Sequence, residues 1–303
     1  MISRRRVISI LAGAAALPML GSAASASVVN WRGIALGANA NIVLDHPNAE
    51  LLLDKALLEI ARLEKVFSLY QANSQLSVLN REGELKVPAV ELIDLLNISD
   101  RIYQETDGAF DPTVQPIWAL YAQKYAAGSV PNQSEIDAVR AKIGWSNLSV
   151  SPEMISFNKP GMALTFNGIA QGYIADKVAG LLRQEGVDNV LVNTGEISAI
   201  GFSPSGAPWP ISLANGGRKL ELTNAAIATS APTGTFFDLD GTVGHILDPR
   251  TGLPSGQWQS LSVIDKSAAR ADGLSTAFCL MNKAQIQAVS GAHEVMFGAP
   301  TSV

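Results

Sequence analysis

Two oxygen-bearing residues near the end of the chain, Asp272 and Thr276, stand four positions apart in ADGLSTAF. On a helix that spacing stacks a carboxylate and a hydroxyl one turn apart on one face, where both oxygens can reach a hard cation. Two oxygens do not make a site, however, and a helix-end acid beside a threonine bonded to its own backbone gives the same spacing. A second stretch is NGIAQGYIAD, residues 167–176. It reads as the end of a strand, a glycine turn and the start of a helix capped by Asn167, with Gly168 letting backbone approach a ligand. The helix N-terminus is expected to present unpaired N–H groups, which favour phosphate, although a short glycine-bearing turn is also a common plain connection. In GAFDPTVQPIW, residues 108–118, Asp111 is held extended by Pro112, and the segment is either a binding loop or a helix entry capped by Asp111 or Thr113. His245 stands on a strand leading into HILDPRTGLP, as a structural residue or as a proton acceptor near neutral pH.

These residues need elements to hold them. Met162, Leu164 and Phe166 alternate with Ala163 and Thr165, the period of a strand, and helical spacing then continues to a stop at Gly186. Upstream, residues 32–44 read as one strand and residues 49–70 as a long amphipathic helix. A turn at Asn73 and Ser74 leads to a short element bearing Leu76, Leu79 and Asn80, and residues 91–106 form a second helix stopped by Gly108. Residues 121–144 read as helical covering with an exposed loop at 129–134. Residues 189–200 form a buried strand broken at Thr194-Gly195, with residues 209–214 as its neighbour and Glu196 facing either a site or solvent. Short strands follow at 226–229, 243–247 and 261–264, and the last helix begins near Ala271 or Asp272.

Composition limits the class. The chain has 303 residues, 47% hydrophobic and 16% charged, enough for a sizeable core. Residues 3–8, SRRRVI, form a twin-arginine-like start, followed by an apolar run at 10–20 and the small-x-small site Ala24-Ser25-Ala26, so residues 1–26 read as a cleaved export signal and the mature protein as periplasmic. The run is short and interrupted by Pro18, which argues against a retained membrane span. Cleavage removes three of 22 basic residues and no acids, leaving 19 against 27 acidic and a net charge of −8, which disfavours nucleic acid. The single cysteine, Cys279, sits in an apolar run and reads as core. Three histidines (His46, His245, His293) without HExxH or a cysteine cluster disfavour zinc.

Taken in order, these segments resemble the ApbE family of FAD:protein FMN transferases over nearly all of the mature length. FSLYQANSQLSVLN is similar to the family's Ser-x-Tyr…Ser-x-Leu…Asn segment, GAFDPTV to its Gly-Ala-Phe-Asp-Pro-Thr-Val loop, and NGIAQGYIAD to its Gly-x-Ile-Ala-Lys-Gly-Tyr-x-x-Asp junction. HILDPRTGLP and ADGLSTAF complete the set. The resemblance implies an α+β fold, mixed sheets covered by helices in a T-fold-like unit spanning residues 27–303. A Rossmann fold is disfavoured, since no GxGxxG is present. It further implies that Leu36, Tyr70, Ala109, Phe110, Asp111, Thr165, Gln171 and His245 line an FAD site, and that the backbone carbonyl of Gly168 joins Asp272 and Thr276 around Mg²⁺. The implied reaction is attack by a threonine hydroxyl of a target flavoprotein on the FMN phosphorus of FAD, releasing AMP, with His245 and Asp111 both placed to assist the proton. Gln171 stands where the family usually has lysine and Thr165 where it often has aspartate, and the usual glycine pair is reduced to Thr194-Gly195-Glu196. The arginine-rich start with WRGIALGANA is similar to the exported NosX-type subgroup that accompanies nitrous oxide reductase and serves its membrane regulator. A periplasmic FAD carrier and a metal-dependent FAD pyrophosphatase are the competing functions.

Overall fold

Apolar runs such as VLV at 190–192 and AIA at 226–228 lack the alternation of a half-exposed strand, so they require cover on both faces of a sheet. The computed structural model describes residues 14–15, 28–213, 219–289 and 294–298. Within it a seven-stranded sheet runs in the order Glu294–Phe297, Leu261–Asp265, Ala225–Ser230, Ile197–Ile200, Val190–Asn193, Ala38–Asp45, Val28–Ala35, every neighbouring pair antiparallel. Side chains alternate between faces. Val190, Val192, Ala226 and Ala228 therefore enter the main core, beneath the helices Ala49–Phe67, Ala170–Gln184 and Ala268–Phe278. Leu191 and Ile227 enter a second core with Trp209, Ile211 and Leu222.

The segment 209–214 was expected to neighbour the 189–200 strands, and Trp209–Leu213 does so by stacking rather than by strand pairing, with Trp209 Nε1 donating to Ile200 O at 3.0 Å. The strand pairs with Lys219–Leu222 and with the two-residue strand Ala14–Ala15, in a small sheet against the second face. The rest of residues 1–26, where an export signal was expected, and Ala214 and His293 lie outside the described residues. No helix among the described residues is long and apolar enough to cross a membrane. A third sheet holds Glu84–Lys86, Met154–Phe157 and Leu148–Val150, and the helices Gln115–Ala126 and Gln133–Arg140 share a separate apolar cluster with Leu247.

Other local readings change in the fold. The single strand expected at 32–44 is a hairpin, Val28–Ala35 with Ala38–Asp45, turning at Leu36 (φ 46°) and Gly37 (φ 81°). Both central residues have positive φ, as the tight hairpin turn requires, but Leu-Gly lacks the usual Asn-Gly or Asp-Gly signal. The segment 243–247 is not a strand; isolated bridges Phe236–Gly244 and Leu247–Pro254 hold it. The helix expected to begin near Ala271 or Asp272 begins at Ala268 behind an N-cap at Ser267, so Asp272 is its fifth residue rather than its first or second, and a further helix, Lys283–Val289, follows it.

Residues 162–166 keep the predicted alternation, with Met162, Leu164 and Phe166 buried, yet they belong to no sheet. The pairing a neighbouring strand would supply comes from a side chain. Asn80 accepts from Leu164 N at 2.7 Å and donates Nδ2 to Leu164 O at 2.8 Å, while Thr165 N donates to Pro112 O at 2.9 Å. Asn80→Ala leaves both polar groups of a fully buried residue unpaired, so it is expected to destabilise the protein by about 2–4 kcal/mol. Chemical denaturation would read this as a lower midpoint at unchanged slope.

Candidate active site

The site is organised by two helices that cap one another. Asp176, on Ala170–Gln184, accepts from Ala268 N at 2.9 Å, Ala269 N at 3.1 Å and Ser267 Oγ at 2.8 Å at the head of the other helix. In return Asp272, on Ala268–Phe278, accepts from Gly172 N at 3.1 Å. Asn167 therefore does not cap its helix as expected. Ile169 occupies that position without a side-chain cap, and Asn167 N donates to Thr165 Oγ1 instead. The helices approach so closely that a Cβ on Gly172 would lie 2.2 Å from Ala268 O. This contact fixes Asp272 and Thr276 beside the turn that carries Gly168, where a Cβ would lie 2.8 Å from Thr276 Oγ1.

The expectation that the helix N-terminus presents free N–H groups fails for the same reason. Of its first four, Ala170 N donates to Phe166 O, Gly172 N to Asp272, and Tyr173 N to Ile169 O. The extended segment before the helix curls back on itself and supplies the acceptors that a free end would lack.

An open cleft lies over this junction. Its lining gathers Tyr70, Ala109, Phe110, Asp111, Thr165, Gly168, Gln171, His245, Asp272 and Thr276 from positions far apart in sequence. Leu36 alone of the expected set lines instead an adjoining cavity, which shares Tyr70, Asn167 and Gln171 with the cleft. The hairpin turn that carries it is held by Leu36 N donating to Glu64 Oε1 at 2.6 Å. Gln171 is buried against Gly195, where a Cβ would come within 2.5 Å of its Oε1. Gly195, with φ 111°, is thus needed both for its conformation and for the space.

Asp111 takes the helix-entry cap that its sequence suggested and also borders the cleft. Its Oδ1 accepts from Thr113 N at 2.8 Å and Thr113 Oγ1 at 2.7 Å, capping a short 3₁₀ turn. Burial raises its carboxyl above the ordinary range, against the hydrogen bonds from Thr113 and Trp145. His245 Nδ1 lies 3.2 Å from the carbonyl oxygens of both Pro232 and Thr235. Carbonyls only accept, so Nδ1 carries the proton and Nε2 keeps its lone pair. Burial lowers the imidazole below its ordinary value, with those carbonyls opposing.

Three further residues belong to the site. Glu196, left between site and solvent by its sequence, lines the cleft, buried, and accepts from Thr229 N at 3.0 Å. Its place at the tip of the Val190–Asn193 and Ile197–Ile200 hairpin was not readable without the pairing. Burial first, then the charge of Asp272, raises its carboxyl well above the usual range. Asp272 is itself pushed up to about 7, by burial and then by Asp176, with the Gly172 N–H opposing. Ser230 Oγ lies 3.1 Å from Thr276 Oγ1, and Thr235 Oγ1 is a buried hydroxyl on the cleft wall without a partner among the described residues.

The donor set suits a hard divalent cation: a buried carboxylate that would gain by acquiring a counter-charge, a hydroxyl one turn along, and a glycine where any side chain would fill the space beside that hydroxyl. No three His, Cys, Asp or Glu among the described residues group as metal ligands, so a cation bound here would also draw on hydroxyl and carbonyl oxygens. Removing the glycine's space tests the fit. Gly168→Val is expected to weaken Mg²⁺ affinity at least about tenfold by calorimetry, with little change in melting temperature, because a larger group would displace the Thr276 hydroxyl.

A sequence profile of the ApbE family matches residues 24–297. The FAD:protein FMN transferase of Vibrio cholerae is 29% identical over 307 residues, covering 94% of this chain and 91% of its own. That of Chlamydia pneumoniae is 30% identical over 77% of each chain. Among solved structures, the ApbE protein of Thermotoga maritima superposes with a TM-score of 0.81 at 26% identity, over 90% of this chain and 96% of its own.

Proposed function

The chain belongs to the ApbE family and is an FAD:protein FMN transferase, and we propose that it works with Mg²⁺ on a threonine hydroxyl of a target flavoprotein. The observation that carries this reading is convergence: Asp272 and Thr276, Gly168, His245 and Asp111, drawn from separate segments, border one cleft. When bound, Mg²⁺ held by Asp272, Thr276 and the Gly168 carbonyl would neutralise charge on the phosphoryl oxygens. Tyr70, Ala109, Phe110, Thr165 and Gln171 bind and orient FAD, with Leu36 contributing from the adjoining cavity. His245, with Nδ1 pinned by two carbonyls, takes the hydroxyl proton at Nε2. The threonine oxygen bonds to the FMN phosphorus as the bond to AMP breaks. Asp111, already committed to Thr113, positions the loop.

Separation of nucleotides after incubation with FAD and Mg²⁺ tests the reading. AMP that appears only when an acceptor protein is present supports transfer. AMP and FMN appearing together without acceptor would identify a pyrophosphatase, and intact bound FAD a carrier.

The pH dependence follows from His245. Its base form is populated above a lowered pKa, so at saturating Mg²⁺ kcat/KM should stay flat down through pH 6.5 and fall only on the acid side of it. His245→Gln should remove that limb and lower kcat by about 10²–10⁴. An acid limb that persists in the variant would assign the base elsewhere.

Residues 1–26 act in this reading as a twin-arginine export signal, delivering the folded protein to the periplasm, where the target is the membrane regulator of nitrous oxide reductase. Replacing Arg4 and Arg5 by lysine should trap uncleaved precursor in the cytoplasm, seen by fractionation; unchanged periplasmic yield would remove that route. Cells lacking the chain should contain that regulator without covalent flavin.

A further inference from the structure

A cleft for a pyrophosphate would be expected to offer fixed positive charge, and this one offers none. Among the described residues that line it, Asp111, Glu196 and Asp272 are carboxylates, and no lysine or arginine is present. The position closest to the helix junction is filled by neutral Gln171, lodged against Gly195. Helix N-termini, the usual substitute for a cation, are largely taken up. Three of the first four N–H groups of Ala170–Gln184 have protein acceptors. All four of Ala268–Phe278 are taken as well, by Asp176 (Ala268 and Ala269), Ser267 Oγ (Arg270) and Ser267 O (Ala271). His245 does not substitute, since its imidazole is turned to carbonyls and kept neutral by burial.

The other part of the cleft is different in kind. Phe110, Val114, Trp118, Ile246 and Leu247 form an apolar wall that suits a ring system and asks for no counter-charge. The ligand is therefore met by an apolar half and by a polar half whose described residues offer phosphate no fixed positive charge.

Resting on the transferase reading above, we propose that FAD and the divalent cation bind this cleft as an obligatory pair, because the described residues of the cleft offer the pyrophosphate no fixed counter-charge of their own. Linkage makes the effect reciprocal: each ligand raises the other's affinity by the same factor, here about 100-fold, the upper part of the usual range. The enzyme consequently neither holds FAD in metal-depleted surroundings nor retains the cation after the dinucleotide leaves.

Fluorescence and calorimetric titration of the mature protein with riboflavin, ADP and FAD, each in EDTA and in saturating Mg²⁺, tests this. Riboflavin, which lacks phosphate, should bind equally in both conditions. ADP and FAD should gain about 100-fold with Mg²⁺, and Mg²⁺ should bind tighter by the same factor when FAD is present. Gln171→Lys supplies a fixed cation and should raise FAD affinity in EDTA at least about tenfold while shrinking the coupling. Glu196→Gln, which keeps an oxygen for Thr229 N–H, should shift both in the same direction. Equal FAD affinity with and without Mg²⁺, or coupling untouched in both variants, would overturn the proposal while leaving the transferase reading standing. Failure of riboflavin, ADP and FAD to bind in either condition would instead remove the flavin reading, and the proposal with it.

Discussion

Asp272→Asn is expected to lower turnover at least about 10³-fold at any accessible Mg²⁺ concentration, yet leave a well-folded protein. The substitution separates two duties that alanine would remove together. An amide oxygen can still accept from Gly172 N, so the cap on Ala170–Gln184 survives, while the charge offered to the cation is gone. The stability sign is also defined. The folded-state pKa of Asp272, about 7, lies above its ordinary 3.8, so the stability tied to its proton is present in full below about pH 4 and is lost as pH rises through 7. The metal-free parent should therefore lose stability across that window and recover it on adding Mg²⁺ together with saturating FAD. Asp272→Asn should be flatter and insensitive to Mg²⁺. Melting temperatures from pH 4 to 8, with and without Mg²⁺ and saturating FAD, together with single-turnover rates, read both effects. A variant with parental turnover would return Asp272 to a purely structural role.

Gly172→Ala is the second large effect, and two principles give it opposite signs. Helix propensity favours alanine over glycine by about 1 kcal/mol. Against this, the new methyl carbon would sit 2.2 Å from Ala268 O and 2.9 Å from Ala269 N, backbone atoms that cannot rotate away. The helices would have to separate, breaking the contacts of Asp176 and Asp272 at their crossing, so a net loss of about 3 kcal/mol or more is expected. Equilibrium denaturation measures it. A variant as stable as the parent would mean that the helices are not so closely apposed in solution.

The same crossing marks what the sequence could and could not disclose. Motif residues from Tyr70 to Thr276 arrive in one cleft because each motif carries its own local turn chemistry: a 3₁₀ entry at Asp111, a glycine turn at 168, a helical spacing of four at 272 and 276. Caps were misread because they are not local. Asn167 has the residue type of a cap, but Ile169 holds the cap position and the work is done by carboxylates about a hundred positions away, Asp272 on Gly172 and Asp176 on Ala268. The alternation at 162–166 was legible, but not its partner, because a side-chain amide 84 positions away stands in for a strand. Leu36 was displaced to a neighbouring cavity by a hairpin turn with an unusual residue pair. Glu196 could be oriented only once its hairpin was paired. In each case propensity rules describe a segment's own shape correctly and leave open which distant group satisfies its polar atoms.

Mass spectrometry of the acceptor tests the central claim most directly. Mature protein incubated with FAD, Mg²⁺ and a target domain bearing its acceptor threonine should give that domain a gain of about 438 Da, one FMN joined with loss of water, and AMP in equal amount. The threonine-to-alanine domain should keep its original mass. A cognate domain that stays unmodified under saturating FAD and Mg²⁺, with Gln171→Lys enzyme as well as with the parent, would contradict the account.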